Sequence, residues 1–195
     1  MDWKTNNMNE KLINIINTEL QSEFSFLKTF GITRIGEKKD GTEIKKYPTA
    51  VNELQENCNT DKEIYILPNR DEKGLIWWEI LNTKKERVFK NVNLMQSSLK
   101  MYLWLNADKI NKEETSFIDN IIAAFPEEIQ ENPIIKATIK NINYKSQDFV
   151  KYSFDKQYMR KPYYIFQVEM TGIIYYNCLS NLISKTYDVC GNIVS

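Results

Sequence analysis

The sequence predicts an α+β protein: a curved, mainly antiparallel β-sheet with two helices packed on it, plus an extended loop and terminal arms. Three observations carry that expectation. The run from Tyr163 to Cys178 (YYIFQVEMTGIIYYNC) alternates with period two in aromatic and β-branched residues. Two other stretches repeat apolar residues at helical spacing. The order along the chain is helix, several strands, helix, strands, so elements are segregated rather than strictly alternating.

The first helix is expected over Asn9 to Phe24. Leu12, Ile13, Ile16 and Leu20 form its apolar stripe, and Glu10, Asn14, Asn17 and Gln21 lie away from it. Phe24, Phe26, Leu27 and Phe30 lead to Gly31, read as a stop. A hairpin follows, Ile32 to Ile35 and Ile44 to Tyr47, turning at Asp40-Gly41, because that pair supplies the positive φ a tight turn needs. Pro48 is read as its end, and Asn52 to Asn59 as a loop or short helix. Glu63 to Leu67, Gly74 to Ile80 and Phe89 to Asn106 are the next strands. The last of these alternates Leu99, Met101, Leu103 and Leu105 against Lys100, Tyr102, Trp104 and Asn106.

A second helix fits Lys112 to Phe125, with Asn111 as N-cap and Glu114 at capping-box spacing. Its buried face is Phe117, Ile118, Ile121, Ile122 and Phe125, and Pro126 ends it. Ile134 to Tyr144 reads as a strand, Lys145 to Pro162 as a mixed connector, and Leu179 to Ser195 as a weakly patterned tail. One domain, 1–178 with an N-terminal arm 1–8, is expected ahead of a C-terminal tail 179–195.

The final run is long for a single domain. One face, Tyr164 through Cys178, carries no charge, and the other holds Gln167, Glu169, Thr171 and Asn177, so one packed side is expected. Its 16 residues would span ~50 Å against a body of ~40 Å. The strand must break, at Gly172, or run past the body and meet a partner.

Composition removes several function classes. Lys+Arg and Asp+Glu both total 26, so no net field favours nucleic acid, anionic membrane or acidic substrates. No segment approaches the ~20 apolar residues of a membrane span, and the first residues, Met1 to Asn7, hold no apolar core of a signal peptide. Cys58, Cys178 and Cys190 are odd in number and lack C-x-x-C spacing, which fits free thiols in a reducing compartment. The chain has no histidine. Ser-His-Asp and Cys-His systems, imidazole shuttles and His-containing metal sites are therefore excluded, and no enzyme activity is expected.

Individual motifs have plain readings beside the functional ones. Trp77-Trp78 would need both rings on one side to make a stacking platform, but neighbours in a strand face opposite sides, so core packing is the reading. Lys38, Lys39, Lys45 and Lys46 flank a turn that also carries Glu37, Asp40 and Glu43, which describes a solvated tip rather than a phosphate site. Glu127, Glu128 and Glu131 have the chemistry for a hard cation, but a charged surface after a helix explains them. Neither a metal nor a cofactor is expected. Cys58 has no histidine to activate it. Lys156 to Lys161 (KQYMRK) suits a contact loop, since Arg, Tyr and Met are enriched at protein interfaces.

The ordered segments resemble structural proteins of tailed bacteriophages that infect Bacteroides-type hosts. The matching pieces are a first helix ending in Phe30-Gly31, Asp40-Gly41 with Tyr47-Pro48-Thr49-Ala50-Val51, Glu63 to Pro68, Gly74 to Trp78, Leu99 to Lys109, and the strand from Pro162. Together they are similar to neck and tail-completion (tail-terminator-like) proteins and to connector ring proteins of crAss-like phages. The resemblance covers roughly Asn9 to Cys178, and the 145–161 loop and the tail depart from it. It implies a virion protein made in the host cytoplasm, a subunit of a head-to-tail connector ring between portal and tail. Such rings of about six or twelve copies contact portal, other ring and tail proteins, and pass DNA through the lumen without specific binding.

No active site is carried over. On the residue types alone, Trp3 in the arm, Tyr158, Met159 and Arg160 in the loop, and Tyr187 and Ile193 in the tail are the interface candidates, each of which could fold back on its own core. Two rival classes stand beside the ring. One is a small intracellular protein-binding or regulatory module without catalytic activity. The other is a histidine-free enzyme, which would need Glu79, Asp108 or Glu169 to converge in one cleft.

Overall fold

The computed structural model describes residues 3–51, 63–89, 92–110, 117–132, 135–144, 147–175, 186–187 and 193–194. Its elements are α1 (Trp3–Glu23), β1 (Leu27–Asp40), β2 (Glu43–Val51), β3 (Glu63–Tyr65), β4 (Gly74–Phe89), β5 (Val92–Asn106), α2 (Ala107–Ile110), α3 (Phe117–Ala124), β6 (Glu128–Asn132), β7 (Ile135–Tyr144), β8 (Tyr163–Tyr175), β9 (Thr186–Tyr187) and β10 (Ile193–Val194). Eight strands form one sheet in the order β3-β2-β1-β4-β5-β8-β7-β6. Every neighbour is antiparallel except β1 with β4. The architecture is α+β with an open, mostly antiparallel sheet, as the element order predicts.

α1 begins at Trp3, six residues ahead of the predicted start, so positions 3–8 are helical rather than an arm. Met8 is buried one turn before Leu12 and extends the i, i+4 row Met8, Leu12, Ile16, Leu20. Leu12, Ile13, Ile16 and Leu20 are fully withdrawn from water, each worth ~1.5–3 kcal/mol. They meet Ile76, Trp78, Leu99, Met101, Leu103, Phe166, Val168 and Met170 on the first face of the sheet. The helix lands where the sheet is thin, on a cross-strand row of small residues, Ser97, Gly172 and Ala137.

Asn17 was expected to face away from the stripe, but it is buried and accepts a 2.9 Å bond from Trp78 Nε1. Asn9 is buried too. It accepts from Ser97 Oγ at 2.6 Å and donates to Thr83 at 3.3 Å. These two asparagines satisfy donors that the sheet would otherwise bury unpaired.

Gly31, read as a stop ahead of the hairpin, lies inside β1. The strand starts at Leu27 and runs through to Asp40, and the glycine lies at an irregularity in the β1–β4 register between Thr29 and Ile32. Pro48 does not end β2 either: it pairs with Ile35. Its carbonyl accepts from Ile66 at 2.8 Å, on the β3 side. The missing N–H points the same way, past the end of the short β3, and costs the β1 ladder nothing. Gly41 adopts φ +62° at the hairpin turn, as Asp40-Gly41 predicts.

β4 and β5 are longer than their apolar segments, at 16 and 15 residues. This changes the meaning of β8. It runs from Tyr163 to Tyr175 with β5 on one side and β7 on the other, and the register passes Gly172 unbroken on both sides. It does not break there, and β5 pairs with it along its whole described length, while β7 covers Phe166 to Ile174; positions 176–178 lie outside the described residues. Asn111, Glu114 and the loop 52–59 also lie outside. In α3, Ile121 is buried but Ile122 is 37% exposed, so the apolar face of that helix is narrower than predicted. β6 was not anticipated at all.

Candidate functional site

The second face of the sheet was expected to meet solvent, but half of it is a second core. Alternation along β4, β5 and β8 builds three cross-strand rows: Leu75, Trp104 and Ile165; Trp77, Tyr102 and Gln167; Glu79, Lys100 and Glu169. The first two rows are roofed by the connector, which folds into two 3₁₀ turns, Gln147–Lys151 and Lys156–Met159. Ala50, Ile66, Phe149 and Tyr152 complete this cluster, with Phe154, Tyr158 and Met159 among the residues packed at its margin. Trp77 stacks on Tyr102 at 5.5 Å between ring centres, while Trp78 belongs to the opposite core. The two indoles do face opposite ways, as period two requires.

The densest polar constellation sits where roof meets third row. Lys151 Nζ lies 2.5 and 2.6 Å from the two Glu79 oxygens. Tyr152 donates to Oε1 at 2.7 Å and Tyr102 to Oε2 at 2.9 Å. The ammonium also lies 4.9 and 5.0 Å from the centres of those two tyrosine rings. Trp77 Nε1 donates to the Tyr152 hydroxyl at 3.4 Å. Both carboxylate oxygens are engaged by donors from the protein itself, so the arrangement acts as a clasp that pins the roof onto β4 and β5. To serve as a base, Glu79 would first have to surrender those bonds.

Of the other two carboxylates the enzyme reading needs, Glu169 shares the row of Glu79 with Lys100 between them. It accepts from Gln167 at 3.1 Å and lies 4.0 Å from Lys100 Nζ. Asp108 is exposed in α2, beyond the far end of β5, and does not join them. No group of three or more potential metal ligands occurs among the described residues. Cys58, Cys178 and Cys190 lie outside those residues.

The predicted interface residues lie on three elements: α1, the second 3₁₀ turn with its C-cap, and the β9–β10 ladder. Tyr158 and Met159 are half-buried and fold back on the second core. Tyr158 makes edge contacts with Trp104 and Tyr163, and its carbonyl accepts from Trp104 Nε1 at 2.9 Å. Asp155 caps this 3₁₀ turn by accepting from the Gln157 N–H at 3.0 Å. Arg160 is exposed, and its carbonyl accepts from the Tyr163 N–H. Burial pushes the Tyr163 phenol up from its ordinary range, with nearby Tyr158 and Asp108 adding to the effect. Trp3 lies in the first turn of α1, and Tyr187 pairs with Ile193 across the small β9–β10 ladder.

The hairpin tip is the solvated structure the sequence describes. Lys45 bonds Asp40, Lys46 lies 3.9 Å from Glu37, and Lys38 sits over the Tyr65 ring at 5.9 Å. Of the acidic trio after α3, Glu128 pairs with Lys136 at 2.5 Å and Glu127 is exposed.

What sequence reasoning missed is the set of open strand edges. β1 pairs with β4 only as far as Ile32 opposite Trp78, then diverges to pair with β2. Thr33 closes the fork by donating to the Trp78 carbonyl at 2.9 Å. From Glu79 to Phe89, β4 therefore has β5 as its one strand neighbour among the described residues. β3 and β6 are the outer strands of the sheet. The signal for the fork is a weak one: apolar alternation fades after Ile80 although strand-compatible residues continue. In comparison with known proteins, no family model matches the chain and no curated protein matches it.

Proposed function

We propose that this chain is a structural virion protein, a subunit of a head-to-tail connector ring between portal and tail. It assembles by packing against copies of itself and leaves a channel for DNA. The carrying observation is the fork at Thr33, which leaves eleven residues of β4, Glu79 to Phe89, with a single strand neighbour among the described residues. An edge of that length is a hazard in a solitary protein and a joint in an assembly. The balanced charge is compatible with a lumen from which DNA must slide freely. In this reading the sheet curves around the lumen, and exposed Arg160 and the two chain ends face neighbouring virion proteins.

Native mass spectrometry with negative-stain imaging of the purified protein tests the reading. Discrete closed rings of one size are expected. A species that stays monomeric at every concentration, or a dimer that captures one foreign polypeptide through the same edge, would overturn it in favour of a binding module.

A further inference from the structure

The outward edges of distal β4 and of β6 differ in charge. On β4, Lys84, Lys85 and Arg87 are exposed, with Glu86 the one acid among them. They sit in a regular stretch, 82–87, framed by two bulges at which exposed apolar residues, Leu81 and Val88, are inserted. At the far side of the same sheet, β6 reads EIQEN, is preceded by exposed Glu127, and contains no cation. β6 is five residues long, with a register irregularity between Gln130 and Asn132, against a regular stretch of six in β4. Beside β6, Lys136 on β7 is held by Glu128.

Charge on an edge ordinarily guards it against pairing. Here the guard is selective. Two β4 edges brought together would set lysine and arginine against themselves, and two β6 edges would set glutamate against glutamate, both unfavourable. A β4 edge meeting a β6 edge places opposite charges across the new ladder while main-chain bonds form between them. Such a contact joins two different surfaces, so it is head-to-tail, and repeating it generates a ring when the rotation closes.

We infer that the acidic edge strand 128–132 of one copy pairs with the basic edge 82–87 of the next. The inference rests on the ring reading and specifies its joint. Two charge-reversed proteins test it: Lys84→Glu/Lys85→Glu/Arg87→Glu, and Glu127→Lys/Glu131→Lys. Each alone carries like charge on both edges and is expected to associate about tenfold more weakly or worse than wild type. An equimolar mixture restores matched edges and is expected to rebuild rings, which two misfolded proteins would not do. Rings from either variant alone, at wild-type affinity, would overturn this joint and leave the ring standing. A wild-type protein that never associates would remove both. As a check independent of charge reversal, a photo-crosslinking residue at position 85 should capture the 127–132 segment of another copy. Capture of any other segment counts against the inference.

Discussion

Leu12 of α1 and Gly172 of β8 share one small volume: a Cβ at position 172 would lie 2.0 Å from Leu12 Cδ2. The glycine is there because the helix needs the space, and the strand keeps its register through it. Gly172→Ala should therefore lower stability by about 1–3 kcal/mol through overpacking. Adding Leu12→Ala should remove the clash, so the double mutant should lose less than the two singles summed. Urea unfolding of the four proteins gives the coupling directly. Strict additivity would mean that the helix does not rest on this row.

Lys151 holds Glu79 while Tyr102 and Tyr152 hold the same carboxylate. Replacing Lys151 by Met leaves the carboxylate with two hydroxyl donors and no cation. A loss of about 1–3 kcal/mol is expected, appropriate to a charged hydrogen bond shielded from much of the solvent. Hydrogen exchange should quicken in 147–159 before it does in α1. Uniform quickening everywhere would contradict a local clasp.

Tyr158 distinguishes folding from association. Its ring touches Trp104 and Tyr163 within one chain. Tyr158→Ala should cost about 1–2 kcal/mol of unfolding free energy and leave assembly intact. Unchanged unfolding with impaired assembly would return Tyr158 to the interface.

The hairpin tip reports pH. The hydrogen bond from Lys45, followed by its charge, holds the Asp40 carboxyl below its ordinary range, and Asp40 raises Lys45 in return. The contact is therefore present at neutral pH and lost at the acid end as pH falls through the depressed Asp40 value. At the alkaline end it is lost as pH rises through the raised Lys45 value. In an NMR titration, Lys45→Met should move the Asp40 midpoint upward. An unmoved midpoint would show that the two side chains do not meet in solution.

Where burial and period coincide, the fold was legible in the sequence. The α1 stripe, the alternation in β5 and β8, the Asp40-Gly41 turn and the opposite facing of Trp77 and Trp78 all follow from spacing. Breaker residues misled where context satisfied them: Pro48 spends its missing donor past the end of β3, and Gly31 sits at a register irregularity. Distal β4 and β6 were invisible because an exposed edge strand needs no apolar alternation. The roof over Trp77 and Trp104 has no period because it is built of 3₁₀ turns. Asn17 hid for a different reason: a bond from Trp78 and one to the Phe30 carbonyl make a polar residue acceptable in a core.

The parallel step between β1 and β4 also bears on the order in which the chain folds. β4 and β5 pair up to Phe89 opposite Val92, three positions apart in the chain, whereas Thr33 and Trp78 are 45 positions apart. Closing the longer loop costs more chain entropy before any contact rewards it. The β4–β5 pair should therefore form early and the β1–β2–β3 wing should dock late, its one strand ladder to the rest among the described residues being the short one ending at Ile32. Pulse-labelled hydrogen exchange should protect Trp77 and Tyr102 amides before that of Thr29, and simultaneous protection would rule the sequence of events out.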